Sequence, residues 1–303
     1  MFEAFLESIV KTATPLLLAA MGEMIVEQSG VINIGIEGVM LSAAFFAMAT
    51  AYFSASPLLG LLAGIGAALL ITAIFAGLAV NLAVNQVVAG TAINLFAVGL
   101  TGIFYRRLFG ITGSAFTVRT FNSLPLGPLS RIPLFGRALF DQDAIVYTAF
   151  SLVPLVALLF RRTRFALRLR AAGERPAAAD ALGLDVYRLR WQALAASAVL
   201  TGIGGAYLTL AYTNTFVEGI SAGRGFIALS IVVLGRWNSW GLLASSLLFG
   251  TAIAFQFGLQ ALGTTAPYQL FLALPYLLTL LVLAAIGDSA RAPSALGEPY
   301  RRA

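Results

Sequence analysis

Nine apolar stretches follow one another along this chain, at 12–26, 38–55, 58–82, 86–105, 144–160, 191–213, 225–236, 239–260 and 267–287. Most approach the roughly 20 residues that carry a helix across the hydrocarbon core of a bilayer. Backbone polar groups at that depth need internal partners, so stretches of this kind form helices. The prediction is an all-α polytopic membrane helix bundle of about eight to nine membrane segments, one of them broken or re-entrant. Composition agrees, with 59% hydrophobic and 11% charged residues among 303.

Two of the stretches are short. The first is interrupted by Glu23 and ends at Glu27, and 225–236 offers only about three helical turns. A short or glycine-broken segment fits the lining of a transport path, where unwound backbone meets protein or water. On length alone, an interfacial helix fits 225–236 equally well.

Sidedness comes from arginine. Arg161–Arg190 holds eight arginines against Glu174, Asp180 and Asp185, and basic loops beside spanning helices stay in the cytosol. Counting outward from it places 214–224 outside, Arg236 and Trp237 inside, and the tail with Arg291, Arg301 and Arg302 inside. The loop 106–143 then falls outside, against the preference of its own arginines. Its Pro125, Pro128 and Pro133 read as an ordered external cap. The side of 27–37 stays open, because it depends on the number of crossings before 106. The acidic start MFEAFLESIVK has no basic n-region, so no removable signal peptide is expected.

Within the basic stretch lies a delimited helix. Pro176 suits a first helical position, Glu174 complements the helix dipole, and Gly183 provides a C-terminal stop after Leu182. Ala178, Ala181 and Leu182 share one face by the i, i+3, i+4 spacing. Physics alone leaves two uses for that small smooth face, docking in a partner's groove or lying flat between spans.

The residues carry a resemblance at this point. AAGERPAAADALGLDVYRLR (Ala171–Arg190) resembles the coupling-helix motif of ABC importer permeases. EQSGVINIGIEGVMLSAAF (Glu27–Phe45) and GRGFIALSIVVLGRWNSWG (Gly223–Gly241) resemble the simple-sugar and nucleoside uptake branch, related to the branched-chain amino-acid permeases. The likeness runs from about residue 12 to residue 287.

It implies a permease domain over 1–290, with a cytoplasmic coupling loop 161–190 and an external loop 106–143, followed by a cytoplasmic tail 291–303. By the same resemblance Gly173, Glu174, Pro176, Ala178, Ala181, Leu182 and Gly183 face an ATP-hydrolysing subunit, and Gly30, Asn33, Gly35, Glu37 and Gly38 belong to the substrate path. The partners implied are that ABC ATPase subunit, a second permease subunit (identical or different), an external substrate-binding lipoprotein and membrane lipid. The implied location is the plasma or inner membrane, as a multi-pass protein. The solute is left open among nucleosides, simple sugars and similar polar molecules.

Other chemistry finds little support in the residues. The single lysine, Lys11, stands outside any phosphate-binding G-x-x-x-x-G-K-[ST] loop, so ATP hydrolysis is expected on another subunit. Gly223-Arg-Gly-Phe-Ile-Ala228 fits a dinucleotide fingerprint in letters but opens an apolar segment instead of following a strand. No cofactor and no nucleic acid are expected. With neither cysteine nor histidine, the usual metal and nucleophile–base sites cannot be assembled.

The competing function is an ion-coupled secondary transporter acting alone. Only Glu23 and Glu37 are available to it as acidic relays. The remaining polar residues at depth are Asn33, Asn81, Asn85, Gln86, Asn94, Gln256 and Gln260. For Asn94, Gln256 and Gln260, hydrogen bonding between helices is the better expectation.

Overall fold

The computed structural model describes residues 2–110, 116–133, 135–261 and 292–302, with 273, 277, 280, 281 and 284 as isolated positions. The apolar segment 267–287 lies almost wholly outside the described residues, as does Arg291. Among the described residues seven helices are long and apolar enough to cross a membrane. They are α1 (Phe2–Glu27), α2 (Ile36–Ser54), α3 (Pro57–Ala76, extended by a π-turn Gly77–Asn81) and α4 (Gln86–Phe109). After a cap come α6 (Ala144–Arg162), α9 (Val186–Tyr207, extended by a π-turn Leu208–Tyr212) and α11 (Ser239–Ala261).

The polytopic helical bundle is therefore present. The shorter apolar helix α10 (Arg224–Leu234) is an additional piece, as its length foretold. The short first segment needs correction, because 12–26 is the buried part of a continuous 26-residue helix. Its polar start is accommodated by a Lys11–Glu7 pair one turn apart (2.6 Å). Glu23 does not interrupt the helix, since its side chain reaches a backbone partner outside it.

α1 runs through the centre, buried from Thr12 to Glu27, and α9, α10 and α11 pack around it. Small residues let α3 cross α2 closely. A Cβ on Gly60 would stand 2.6 Å from the Ala47 carbonyl oxygen, and one on Gly64 2.9 Å from that of Ala43. Close backbone approach is how apolar helices gain dispersion contact without a hydrophobic driving force between them.

The bundle has two distinct ends. At one, the cap contains the paired strands β1 (Ser123–Pro125) and β2 (Asp141–Asp143) and the short helix α5 (Gly136–Phe140). Asp143 caps α6 by accepting from the Ile145 and Val146 N–H groups. Arg106, in the last turn of α4, grips both carboxylate oxygens of Glu218 (3.0 and 3.1 Å), tying α4 to the loop after α9. That grip holds the Glu218 carboxyl below the usual glutamate range. The clasp is therefore kept as pH falls through the ordinary range and is lost only on further acidification. The opposite end carries the arginine-rich α7 (Arg164–Glu174) and α8 (Pro176–Ala181), together with the tail 292–302.

Candidate functional site

Between α1 and α2 the chain unwinds for eight residues, 28–35. The segment begins at the arginine-rich end. Gly30, at φ +84°, turns against Gly173, and the buried Arg190 donates from Nε to the Ser29 carbonyl (3.3 Å). It then climbs alongside α4 into the bundle, so Glu27 stays at the arginine-rich end while Glu37 stands farther in, beside Asn94 and Gly223.

Polar residues scattered through the apolar sequence serve this unwound backbone. The Ile32 N–H donates to Gln86 Oε1 (2.7 Å) and the Asn33 N–H to Glu23 Oε1 (2.8 Å). Asn94 acts at both ends of the α2 entry. Its Oδ1 accepts from the Gly38 N–H (2.8 Å), and its Nδ2 donates to the Ile34 carbonyl (2.9 Å). The expected inter-element hydrogen bonding of Asn94 is thus present, and its partner is an unwound strand of chain. Backbone at membrane depth tolerates loss of helix only with such substitutes.

Glu37 meets a second interruption. Its Oε1 accepts from the Gly223 N–H (2.8 Å) and its Oε2 from the Gly225 N–H (2.7 Å), which caps the first turn of α10. At 1.5 Å per residue the 11 residues of α10 span about 16 Å, roughly half the hydrocarbon core. The far end of α10 leads to Trp237, whose Nε1 donates to Glu27 Oε2 (2.7 Å) at the arginine-rich end. Its N-terminus and the Glu37 carboxylate therefore lie near mid-depth. The helix dipole there favours a negative charge.

The five residues expected on the substrate path play different structural parts. Gly30 forms the turn on Gly173. Gly35 and Gly38 allow α4 to approach: a Cβ on Gly38 would stand 2.9 Å from the Ala97 Cβ, and one on Gly90 2.7 Å from the Gly35 nitrogen. Glu37 caps α10 and is half-exposed. The buried Asn33 keeps a side-chain Oδ1 outside any protein hydrogen bond. Gly90, Glu23 and Gln86 complete the arrangement. The sequence marked the last two as polar at depth, while Gly90 carried no signal beyond being a glycine in a span.

At the arginine-rich end, α8 ends in a Schellman turn: Leu184 N–H donates to the Ala179 carbonyl and Gly183 N–H to that of Asp180, with Gly183 at φ +83°. Ala178, Ala181 and Leu182 face outward, Leu182 at 84% exposure, while Ala179 is buried. Pro176 opens the helix and Gly183 closes it. Gly173 and Glu174 end α7, where Gly173 touches the Gly30 turn and Glu174 accepts from Ser294.

Comparison with known proteins identifies the family. The chain is 36% identical over 298 residues to the nucleoside ABC transporter permease protein NupC of Lactococcus lactis, covering 95% of this chain and 93% of that protein. It is 34% identical to the guanosine ABC transporter permease protein NupQ of Bacillus subtilis, covering 95% and 93% of the two chains. It is 33% identical to the putative glucose ABC transporter permease protein TsgC13 of Haloferax volcanii, covering 98% and 97%. No solved structure matches. The family described as branched-chain amino acid transport system, permease component, matches residues 5–283. This chain belongs to that family and is a multi-pass membrane permease subunit of the ABC type, whose ATP hydrolysis resides on a separate subunit.

Proposed function

We propose that this permease imports an uncharged polar solute, a nucleoside or a simple sugar, by alternating access driven from α8. The carrying observation is the Glu37 carboxylate on the mid-depth N-terminus of α10. In transport proteins such a half-helix end attracts an anionic group of the substrate. Here the chain supplies that anion itself. A solute bearing a carboxylate or phosphate would meet a filled site and a like charge, whereas hydroxyl and amide groups suit the neighbouring Asn33. The names of the nucleoside and sugar permeases it resembles support the same class.

The arginine-rich end faces the cytosol in this reading, as the positive-inside preference demands. The loop 161–190 and the tail 291–303 are then cytoplasmic, and 106–143 is external. The exposed Ala178–Ala181–Leu182 face seats on the ATPase subunit. Gly173, beside the Gly30 turn, carries its motion to the unwound segment. A second permease subunit completes the path, and an external binding lipoprotein docks on the cap and on the part of 214–224 around Glu218, before the chain dips toward Gly223.

Three results test the reading. In vesicles holding the assembled transporter, a radiolabelled nucleoside or sugar should accumulate with ATP, while leucine and a nucleoside monophosphate should not. Accumulation of either anion-bearing solute at the same rate would reject the solute class. Ala178→Asp or Ala181→Arg should abolish co-purification of the ATPase subunit and leave membrane insertion intact. A cysteine at Arg164, exposed at the arginine-rich end outside the α8 face, in a chain with none of its own, should resist impermeant maleimide on intact cells and react once they are opened. Labelling on intact cells would reverse the assigned sides.

A further inference from the structure

We propose that the C-terminal tail is a tie fastening the coupling helix to the unwound segment, and that solute moved per ATP depends on it. This rests on the reading of α8 as the ATPase contact. Over its described residues, 292–302, the tail has almost no regular structure beyond a turn at 294–297, yet it grips four elements.

Two of its backbone N–H groups, two residues apart, clip the glycine contact together. Ala295 donates to the Gly173 carbonyl (3.0 Å) and Gly297 to the Gly30 carbonyl (3.1 Å). Ala295 is buried. Ser294 adds its hydroxyl to the Glu174 carboxylate at the end of α7 (2.6 Å). Further on, Tyr300 Oη donates to Asp180 Oδ2 on α8 (3.0 Å). Arg302 forms a two-pronged pair with the same carboxylate, at 3.0 Å through Nε and 2.8 Å through an Nη.

The Tyr300 ring lies beside Tyr187 and under the guanidinium of Arg190, whose Nε holds Ser29. One short segment thus touches α8, the end of α7, the start of α9 and the turn at Gly30. Two of the three acids in the arginine-rich stretch are occupied by it.

Stability alone does not explain this choice of contacts. The Arg302 side chain is 61% exposed, and ion pairs so open to solvent add little to folding. What a two-pronged pair does supply is fixed geometry. A displacement of α8 pulls on Asp180, the pull travels along the tail, and it arrives at the Gly30 carbonyl, where the unwound segment begins. α8 and the Gly30 turn then move as one body instead of sliding past each other.

The test uses the complete transporter in proteoliposomes, with ATP hydrolysis and solute uptake measured on one preparation. Tyr300→Phe with Arg302→Ala, and a chain ending at residue 291, should still bind the ATPase subunit and hydrolyse ATP. Solute moved per ATP should fall about five-fold or more. Arg302→Lys should recover most of the loss. An unchanged ratio in both variants would overturn the tie, and so would uptake that falls only in step with lost ATPase subunit. Ala178→Asp run in parallel isolates the underlying reading: an ATPase subunit retained by that variant removes α8 docking itself, while the ratio in the tail variants judges the tie.

Discussion

Glu37→Ala is expected to abolish uptake and to lower the yield of folded, monodisperse permease. The carboxylate accepts from two backbone N–H groups in the first turn of α10. Truncation leaves both donors without a partner at mid-depth. Each such loss costs about 1–3 kcal/mol, and the interaction of the charge with the helix dipole adds about 0.3–1 kcal/mol. Because Glu37 is half-exposed, the lower part of that range applies, about 2–4 kcal/mol in all. Stability of a folded domain is only about 5–15 kcal/mol, so this loss is a large share of it.

Glu37→Gln separates geometry from charge. It keeps one acceptor oxygen but turns an NH2 group toward an N–H donor, so it should fold better than alanine and transport poorly. Gly225→Ala should reproduce the alanine defect from the other side. Its Cβ would stand 2.6 Å from both the nitrogen and the Cα of Glu37, and backbone cannot yield as a side chain can. Detergent-extracted yield, thermal unfolding and vesicle uptake measure all three variants. Wild-type uptake by Glu37→Ala would mean that α10 needs no cap and that the site does not depend on a fixed negative charge.

The parts of the fold legible in the sequence are those whose cause is local. Apolar length marks the spans, because a helix must cover a fixed thickness of hydrocarbon. Pro176 and Gly183 bracket α8, because each acts on the torsions of its own backbone. The shortness of α10 was equally visible, since it ends at Gly235 whatever surrounds it.

What stayed hidden are contacts between residues far apart in the chain. Glu37 reads as a path residue or an acidic relay until α10 is brought beside it, and Gly223 lies 186 positions away. Glu23 reads as an interruption of its helix because the N–H it serves, on Asn33, exists as a free donor only once 28–35 has unwound. The tail read merely as basic. Its partner Asp180 stands 122 positions earlier than Arg302, and no spacing rule reaches that far. In each case the polar residue was conspicuous and its purpose was not, because burial cost is a property of the residue and compensation is a property of the fold.

Gly173→Ala should uncouple the transporter while leaving it assembled. The α7 glycine lies directly on the backbone of the Gly30 turn: an added Cβ would overlap the Gln28 carbonyl oxygen and come within 3.0 Å of the Gly30 nitrogen. Neither contact can be relieved by a rotamer change. Gly30 at φ +84° leaves the turn little freedom to retreat, so α7 must back away. Overpacking of this kind costs about 1–3 kcal/mol, below what would unfold the bundle but enough to break the contact.

The exposed face of α8 is unaffected in this variant, so the ATPase subunit should still co-purify and hydrolyse ATP. Uptake should fall about ten-fold, the equivalent of about 1.4 kcal/mol. Gly183→Ala is the matched control, in the same loop and at positive φ but with open space around it. It bears only the left-handed backbone cost, about 1–2 kcal/mol, and presses on nothing in the unwound segment. Its expected defect lies in ATPase binding, because it loosens the end of α8. If both glycine variants lost ATPase and uptake together, the Gly173–Gly30 contact would be a matter of assembly. A loss of uptake alone at Gly173 identifies it as the point where cytosolic work enters the membrane.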